Sequence, residues 1–443
     1  MIIDYNDEER GSQVKKYLAI AVVLVLMGTL FAGCAGGANN SAGDGTKQEE
    51  GQKGSGKKKE LAVFHFKVNI DKEFQELLNV YNEQHPDVNV RQEVIGGSTD
   101  WRALLKTRFA GGEGPDIFVV EGLSQLETWK NQVVDLSGEP WAEKAFETAK
   151  AGAMLDGKLL AMPYNIEGYG LVYNKDIFKQ LNIEPPKTLS ELREAARTLK
   201  EAGYIPFATG FGEWWVIGIH LMNVAFAHQP DQDAFLQGLN DGSAHFADNP
   251  VFQQFKDLFD TIIEYGDPNP LTNDYNTQVS LFATGKAAMM QQGNWMEPQV
   301  FEINPDMNMG LLPIPINDDA EAMDKLHVGV PFNWVINKDS KNIDEAKQFL
   351  NWLVTDETAQ SYMTEKFLFI PAYNHIEADN LKGLSQDVMN YSKAGKTLPW
   401  VFPKWPEGVD NQFSSAMQGY VGKQNSYEEM LKQIQSSWDE LKK

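Results

Sequence analysis

Residues 107–118 read TRFAGGEGPDIF. The helical stretch from Trp101 to Phe109 runs into Gly111-Gly112, which closes it. The chain then enters Asp116-Ile117-Phe118-Val119-Val120, an apolar run that reads as a buried strand. A helix, a glycine exit and a buried strand in so short a stretch predict an α/β fold.

The flanking sequence repeats that alternation. Leu61-Ala62-Val63-Phe64 reads as a first strand, and Val88 to Val94 as a second. Between them Phe74, Leu77, Leu78 and Tyr81 recur at i, i+3, i+4 and i+7, one face of a helix that Pro86 ends. Further on, Thr188 with Glu191 predicts a capping box ahead of Leu192, Ala195, Ala196 and Leu199, and Gly203 suits the end of that helix. Asp344 to Val354 and Ser426 to Leu441 are amphipathic helices.

The body from about Glu60 to Lys443 exceeds the size at which single cores stop growing, so two lobes are expected. Residues 60–443 hold 31 Lys and Arg against 55 Asp and Glu. That acidity argues against a nucleic-acid partner, whose binding rests on neutralising phosphates, and reads as a solvated surface.

The N-terminal region has a different composition. Lys15 and Lys16 precede the apolar run Tyr17 to Leu30, and small residues follow as far as Cys34, the one cysteine of the chain. A basic patch, an apolar core and small residues make an export signal over residues 1–33. Leu30-Phe31-Ala32-Gly33-Cys34 resembles the bacterial lipobox, with Phe31 where Leu is usual, which implies lipidation of Cys34. A plain transmembrane anchor is the alternative. Met1 to Gln13 is acidic, unlike the start of a signal, so Val14 is expected to be the true start. After Cys34, residues 35–59 are rich in Gly, Ser, Asn and Lys and read as a flexible linker spanning roughly 25–30 Å. Within it Gly51 to Lys57 matches G-x-x-x-x-G-K, but no strand precedes it and Lys58 stands where Ser or Thr is needed.

Enzyme signatures are mostly missing, although 62 Asp and Glu leave room for a glycosidase-type carboxylate pair that no motif singles out. The seven histidines form no H-E-x-x-H and no Cys/His metal pattern, and there is no G-x-S-x-G elbow. No catalytic residue, metal or cofactor is therefore expected. Tryptophans beside polar residues are prominent instead: Asp100-Trp101, Gly212-Glu213-Trp214-Trp215, Gly293-Asn294-Trp295, Asn333-Trp334 and Lys404-Trp405-Pro406. Such surroundings suit a sugar, whose C–H face lies on a ring while its hydroxyls meet amides and charges. Trp129, Trp141, Trp352 and Trp438 fall in or beside helices and read as core. Asp100 reads equally as a ligand contact and as a helix N-cap.

Residues 107–118 resemble the F-A-G-G-x-x-P-D-I/V-F segment of family 1 extracellular solute-binding proteins, the sugar-capturing subunits of bacterial ABC importers. Gly157-Lys158-Leu159 to Pro163-Tyr164-Asn165, Leu171 to Asp176, Phe282 to Met289, Gly293-Asn294-Trp295, Leu311-Leu312-Pro313 with Gly329, and Lys338 to Asn342 agree in order. The resemblance implies a two-lobe periplasmic-binding-protein-like fold (type II) with three hinge crossovers, near Asn165, Lys325 and Pro371. The lobes would be discontinuous: residues 60–165 plus 326–370, and 166–325 plus 371–443. It implies sugar contacts at Lys67, Asn69, Ser98, Asp100, Glu121, Tyr164 and Glu167, with Trp295 as the stacking platform. Trp214, Trp215, Phe332, Asn333 and Trp405 join this set. Val330 stands where the family often has a second glycine. The expected partners are a sugar, an ABC permease and, through the lipid, the membrane; the receptor is expected to be a monomer. The alternatives are a receptor for a peptide or glycerophosphodiester, and an extracellular glycosidase.

Overall fold

The computed structural model describes residues 58–96, 99–379 and 381–442. The expected signal, Cys34 and nearly all of the linker lie outside these residues, as does Ser98.

Two sheets organise the described chain. The first runs in the order Val88–Val94, Lys59–His65, Ile117–Val120, Asn333–Ile336, Met162–Pro163. Its first three strands are parallel, with Val63 opposite both Gln92 and Ile117. Asn333–Ile336 is antiparallel to both of its neighbours. All four residues of Ile117–Val120 are buried, as a strand covered on both faces requires. Phe74, Leu77, Leu78 and Tyr81 of helix Asp71–Gln84 face this sheet, as their spacing predicts.

The second sheet is built on the ten-residue strand Asn165–Asn174. Its order is Thr397–Pro399, Leu326–Gly329, Asn165–Asn174, Ala287–Gly293, Ile205–Ala208. Met309–Leu312 and Ile370–Pro371 pair with other parts of the long strand. Around it lies a second core, rich in Phe and Met.

The crossovers fall later than expected after the first. Leu326–Gly329 pairs with Asn165–Asn174 and with Thr397–Pro399, so it belongs to the second sheet, and the chain returns to the first only at Phe332 and Asn333. The expected boundary at Lys325 missed this because a strand and its crossover are both short and apolar. Likewise Ala372, Tyr373 and Ile376 pack in the first core, and Leu381 begins the return to the second. Tyr373 is held there by its hydroxyl, which donates to the Pro163 carbonyl at 2.7 Å.

The capping box expected at Thr188 is half formed. Thr188 accepts from the Glu191 N–H at 3.2 Å, but the Glu191 carboxylate accepts from the Lys187 N–H instead. A full box caps Tyr427–Leu441, where Ser426 and Glu429 exchange both bonds. Gly203 takes a φ of +88°, the left-handed conformation that a helix exit of this kind needs.

Candidate functional site

A cavity of about 490 Å³ opens between the two lobes. Phe66, Lys67, Val68 and Asn69 reach it from the turn after Lys59–His65, and Glu121 from the turn after Ile117–Val120. These are the carboxyl ends of parallel strands, where open α/β sheets collect their ligands. Trp101 adds a ring from the start of its helix. The second lobe supplies Glu167, Glu213, Trp214, Trp215, His220, Tyr275, Trp295, Gln299, Trp400 and Phe402.

Several contacts join the lobes at this cavity. The Lys67 ammonium lies 2.6 Å from Glu167 Oε1, which also accepts from Asn165 Nδ2 at 3.1 Å. Asn69 donates to the Trp295 carbonyl at 3.1 Å. Arg102 is held between Glu121 of its own lobe and Asp410 of the other, each at 2.7 Å. Beside it Glu407 accepts from Thr128 at 2.8 Å and pairs with Lys106 at 2.7 Å. The Arg102 guanidinium also lies 5.0 Å from the centre of the Trp214 ring.

The aromatic wall is rigidly set. The Trp295 ring folds back over Gly293, where an added Cβ would sit 2.1 Å from a ring carbon. Its indole N–H donates to Gln292 Oε1 at 3.0 Å. Its neighbours are His220 at 4.9 Å, Trp400 at 6.3 Å and Trp215 at 6.5 Å between ring centres. Gly329 is needed for Trp400, whose ring would meet a Cβ there at 2.6 Å. Burial among the rings, with Lys67 nearby, lowers the His220 pKa to about 3, so the imidazole is neutral.

Electrostatics single out two carboxyls. Burial raises the pKa of Glu121, which Arg102 opposes. Burial also raises that of Glu213, opposed by the Tyr275 N–H and Trp215. Six lining groups have buried polar atoms without a protein partner: Glu213 Oε2, Trp214 Nε1, His220 Nδ1, Tyr275 Oη, Gln299 Oε1 and Trp400 Nε1. Buried polar groups are normally satisfied, so this mixture of donors and acceptors suits a ligand with a polar rim. The flat rings suit one with an apolar face.

Of the residues expected from sequence, Lys67, Asn69, Glu121, Glu167, Trp214, Trp215 and Trp295 line this cavity together. Others stand elsewhere. Asp100 is exposed and caps its helix, accepting from the N–H groups of Arg102 and Ala103 at 3.1 and 3.2 Å. Tyr164 and Phe332 are buried in the first core, packed against each other and against Trp334. Asn333 is a buried strand residue that donates to the Val120 carbonyl at 3.4 Å. Trp405 packs against Phe226 and Phe413 and touches only a narrow cleft beside Arg102. The sequence reading passed over Phe66, His220, Tyr275, Gln299 and Trp400. Trp400 follows directly on the short Thr397–Pro399 strand, a signal that was available. Among the described residues no three His, Cys, Asp or Glu side chains are grouped to hold a metal, and no helix is long and apolar enough to cross a membrane.

Two α/β lobes that share an aromatic cavity between their strand ends define the class of ligand-capturing receptors with the type II periplasmic-binding fold. Residues 67–360 match the model of the bacterial extracellular solute-binding proteins, and the chain belongs to that family. The family is one of binding proteins, and membership places the folded body outside the cytoplasm. The chain is 28% identical to the maltotriose-binding protein of Pyrococcus abyssi over 75% of its own length and 70% of the relative's. It is 25% identical to the melibiose/raffinose/stachyose-binding protein of Bacillus subtilis, over 69% and 72%. Among solved structures, the solute-binding protein RafE in complex with raffinose superposes with a TM-score of 0.74 at 20% identity, covering 87% of this chain and all of that one. A chitin oligosaccharide binding protein gives 0.75 at 20% identity with the same coverage.

Proposed function

We propose that this protein captures a sugar or short oligosaccharide in the interlobe cavity, closes around it and delivers it to an ABC permease. The observation that carries the reading is the cavity itself: aromatic faces and unpartnered polar atoms contributed by both lobes. The names of the relatives, which specify maltotriose and raffinose-type sugars, support it. Trp295, Trp214, Trp215, Glu121, Glu167, Lys67 and Asn69 are the residues assigned to the ligand. Opening would break Lys67–Glu167, Asn69–Trp295 and Arg102–Asp410; a ligand touching both lobes adds its own contacts to the closed form and shifts the balance further toward it. A lipid on Cys34 would tether the receptor near its permease, with residues 35–59 as the leash. The reading is of a monomeric receptor without turnover.

The test is a thermal-shift screen of the purified protein with Trp fluorescence as a second readout. The screen covers maltotriose, raffinose, stachyose, chitin oligosaccharides, glycerophosphodiesters and peptides. A ligand at 100 times its Kd adds about 2.7 kcal/mol of stability. If only peptides or glycerophosphodiesters shift the transition, the sugar reading fails. Product formed from any of these compounds would overturn the receptor reading.

A further inference from the structure

The charges around the cavity do not balance. Lys67 is matched by Glu167, and Arg102 by Glu121 and Asp410. Among the described residues Glu213 makes no ion pair, and no cation is among the groups acting on it. It is 5% exposed, Oε2 has no protein partner, and the charge acting on it is the like charge of Asp274. Among the described residues Lys67 and Arg102 thus face four carboxylates, and three of these, Glu121, Glu167 and Glu213, line the cavity, Glu213 alone without an ion pair.

Glu213 is also held in place. Its backbone is anchored: the Gly212 N–H donates to the Asn273 carbonyl and the Glu213 N–H to the Gly210 carbonyl, each at 3.0 Å. Beside it stand the rings of Trp214, Trp215 and Tyr275. Burying an ionised carboxylate without a counter-charge is costly. An aromatic wall beside a carboxylate is the environment in which a cation is bound most favourably.

We infer that Glu213 is a specificity-determining residue and that the sugar taken by this cavity carries a protonated amino group, which Glu213 and the surrounding rings receive. This rests on the sugar reading above. A neutral hydroxyl satisfies the free oxygen but supplies no counter-charge to a carboxyl that burial disfavours in its ionised form, and a uronate adds a further negative charge to the site.

The experiment is titration calorimetry on the purified protein with matched pairs: chitin disaccharide against chitosan disaccharide, and glucose and galactose against their 2-amino forms. Maltotriose, raffinose and stachyose are run alongside as neutral references. The expected result is that the amino member of at least one pair binds tenfold or more tightly than its neutral partner. Glu213→Gln then abolishes that preference, and Glu213→Asp, which retains the charge, keeps most of it. Circular dichroism confirms that each variant is folded. Neutral sugars that bind as tightly as their amino partners overturn the inference while leaving the sugar reading intact. An amino preference that survives in a folded Glu213→Gln variant removes Glu213 from the role. Absence of binding by every sugar in the panel overturns the sugar reading itself.

Discussion

Arg102 of the first lobe and Asp410 of the second meet at 2.7 Å, and both are largely shielded from water. The same guanidinium holds Glu121, which lines the ligand cavity. One side chain thus joins the wall of the site to the opposite lobe. Asp410→Asn keeps the shape and removes the charge. A hydrogen bond to a charged group contributes about 1.5–3 kcal/mol. Ligand affinity is expected to fall on the order of tenfold, about 1.4 kcal/mol. Calorimetry reads this directly, and an unchanged Kd would show that the bridge does not favour closure.

The Lys67–Glu167 pair is more deeply buried than the Arg102 bridge. Removing one member of a buried pair costs about 3–5 kcal/mol, chiefly because the other is left charged and alone. Lys67→Met and Glu167→Gln are each expected to lower stability by that order. The double variant is expected to recover much of the loss, as a coupled pair does. Urea unfolding of the four proteins completes the cycle, and additive losses would contradict the coupling.

Trp295 serves both as core and as cavity wall. It is 5% exposed and packs among His220, Trp215 and Trp400. Trp295→Ala is therefore expected to lower stability by about 3–5 kcal/mol as well as weakening binding. Trp295→Phe separates the two roles by keeping a ring while removing the bond to Gln292. Gly293→Ala acts on the same ring from behind and costs about 1–3 kcal/mol by overpacking. Denaturation and calorimetry on all three variants read the split. Full affinity in a folded Trp295→Ala protein would remove the ring from the site.

Much of this arrangement was legible in the residues. Strand ends and helix faces follow from apolar spacing, so Leu61 to Phe64 and the Phe74 face stand where periodicity puts them. Lys67, Asn69 and Glu121 were legible through the family resemblance, and they stand in the segments just past the strands Lys59–His65 and Ile117–Val120. Asp100 was ambiguous because an N-cap and a ligand contact ask for the same side chain. Tyr164, Phe332 and Trp405 misled because an aromatic residue next to a turn looks the same whether its ring faces the core or the cavity. His220 and Tyr275 lie on helical segments of the second lobe, and only the tertiary fold brings them beside Trp215.

Partly buried His228 and buried Glu297 give opposite pH dependences. Burial lowers His228 to about 4. The unfolded chain, with its histidine near 6.5, then binds more protons, so stability present above pH 6.5 is lost as pH falls toward 4. Glu297 is raised to about 7, chiefly by burial, against an unfolded value near 4.3. Its folded form holds the extra proton, so its contribution is full below about pH 4 and is lost as pH rises through 7. His228→Gln is therefore expected to gain stability relative to the parent as pH falls from 6.5 to 4. Glu297→Gln is expected to gain relative to the parent as pH rises from 5 to 8. Either slope amounts to at most about 1.4 kcal/mol per pH unit. Urea midpoints of the parent and both variants across pH 4–8 resolve the two slopes. A parallel profile for either variant would show that its group does not change protonation between the folded and unfolded states.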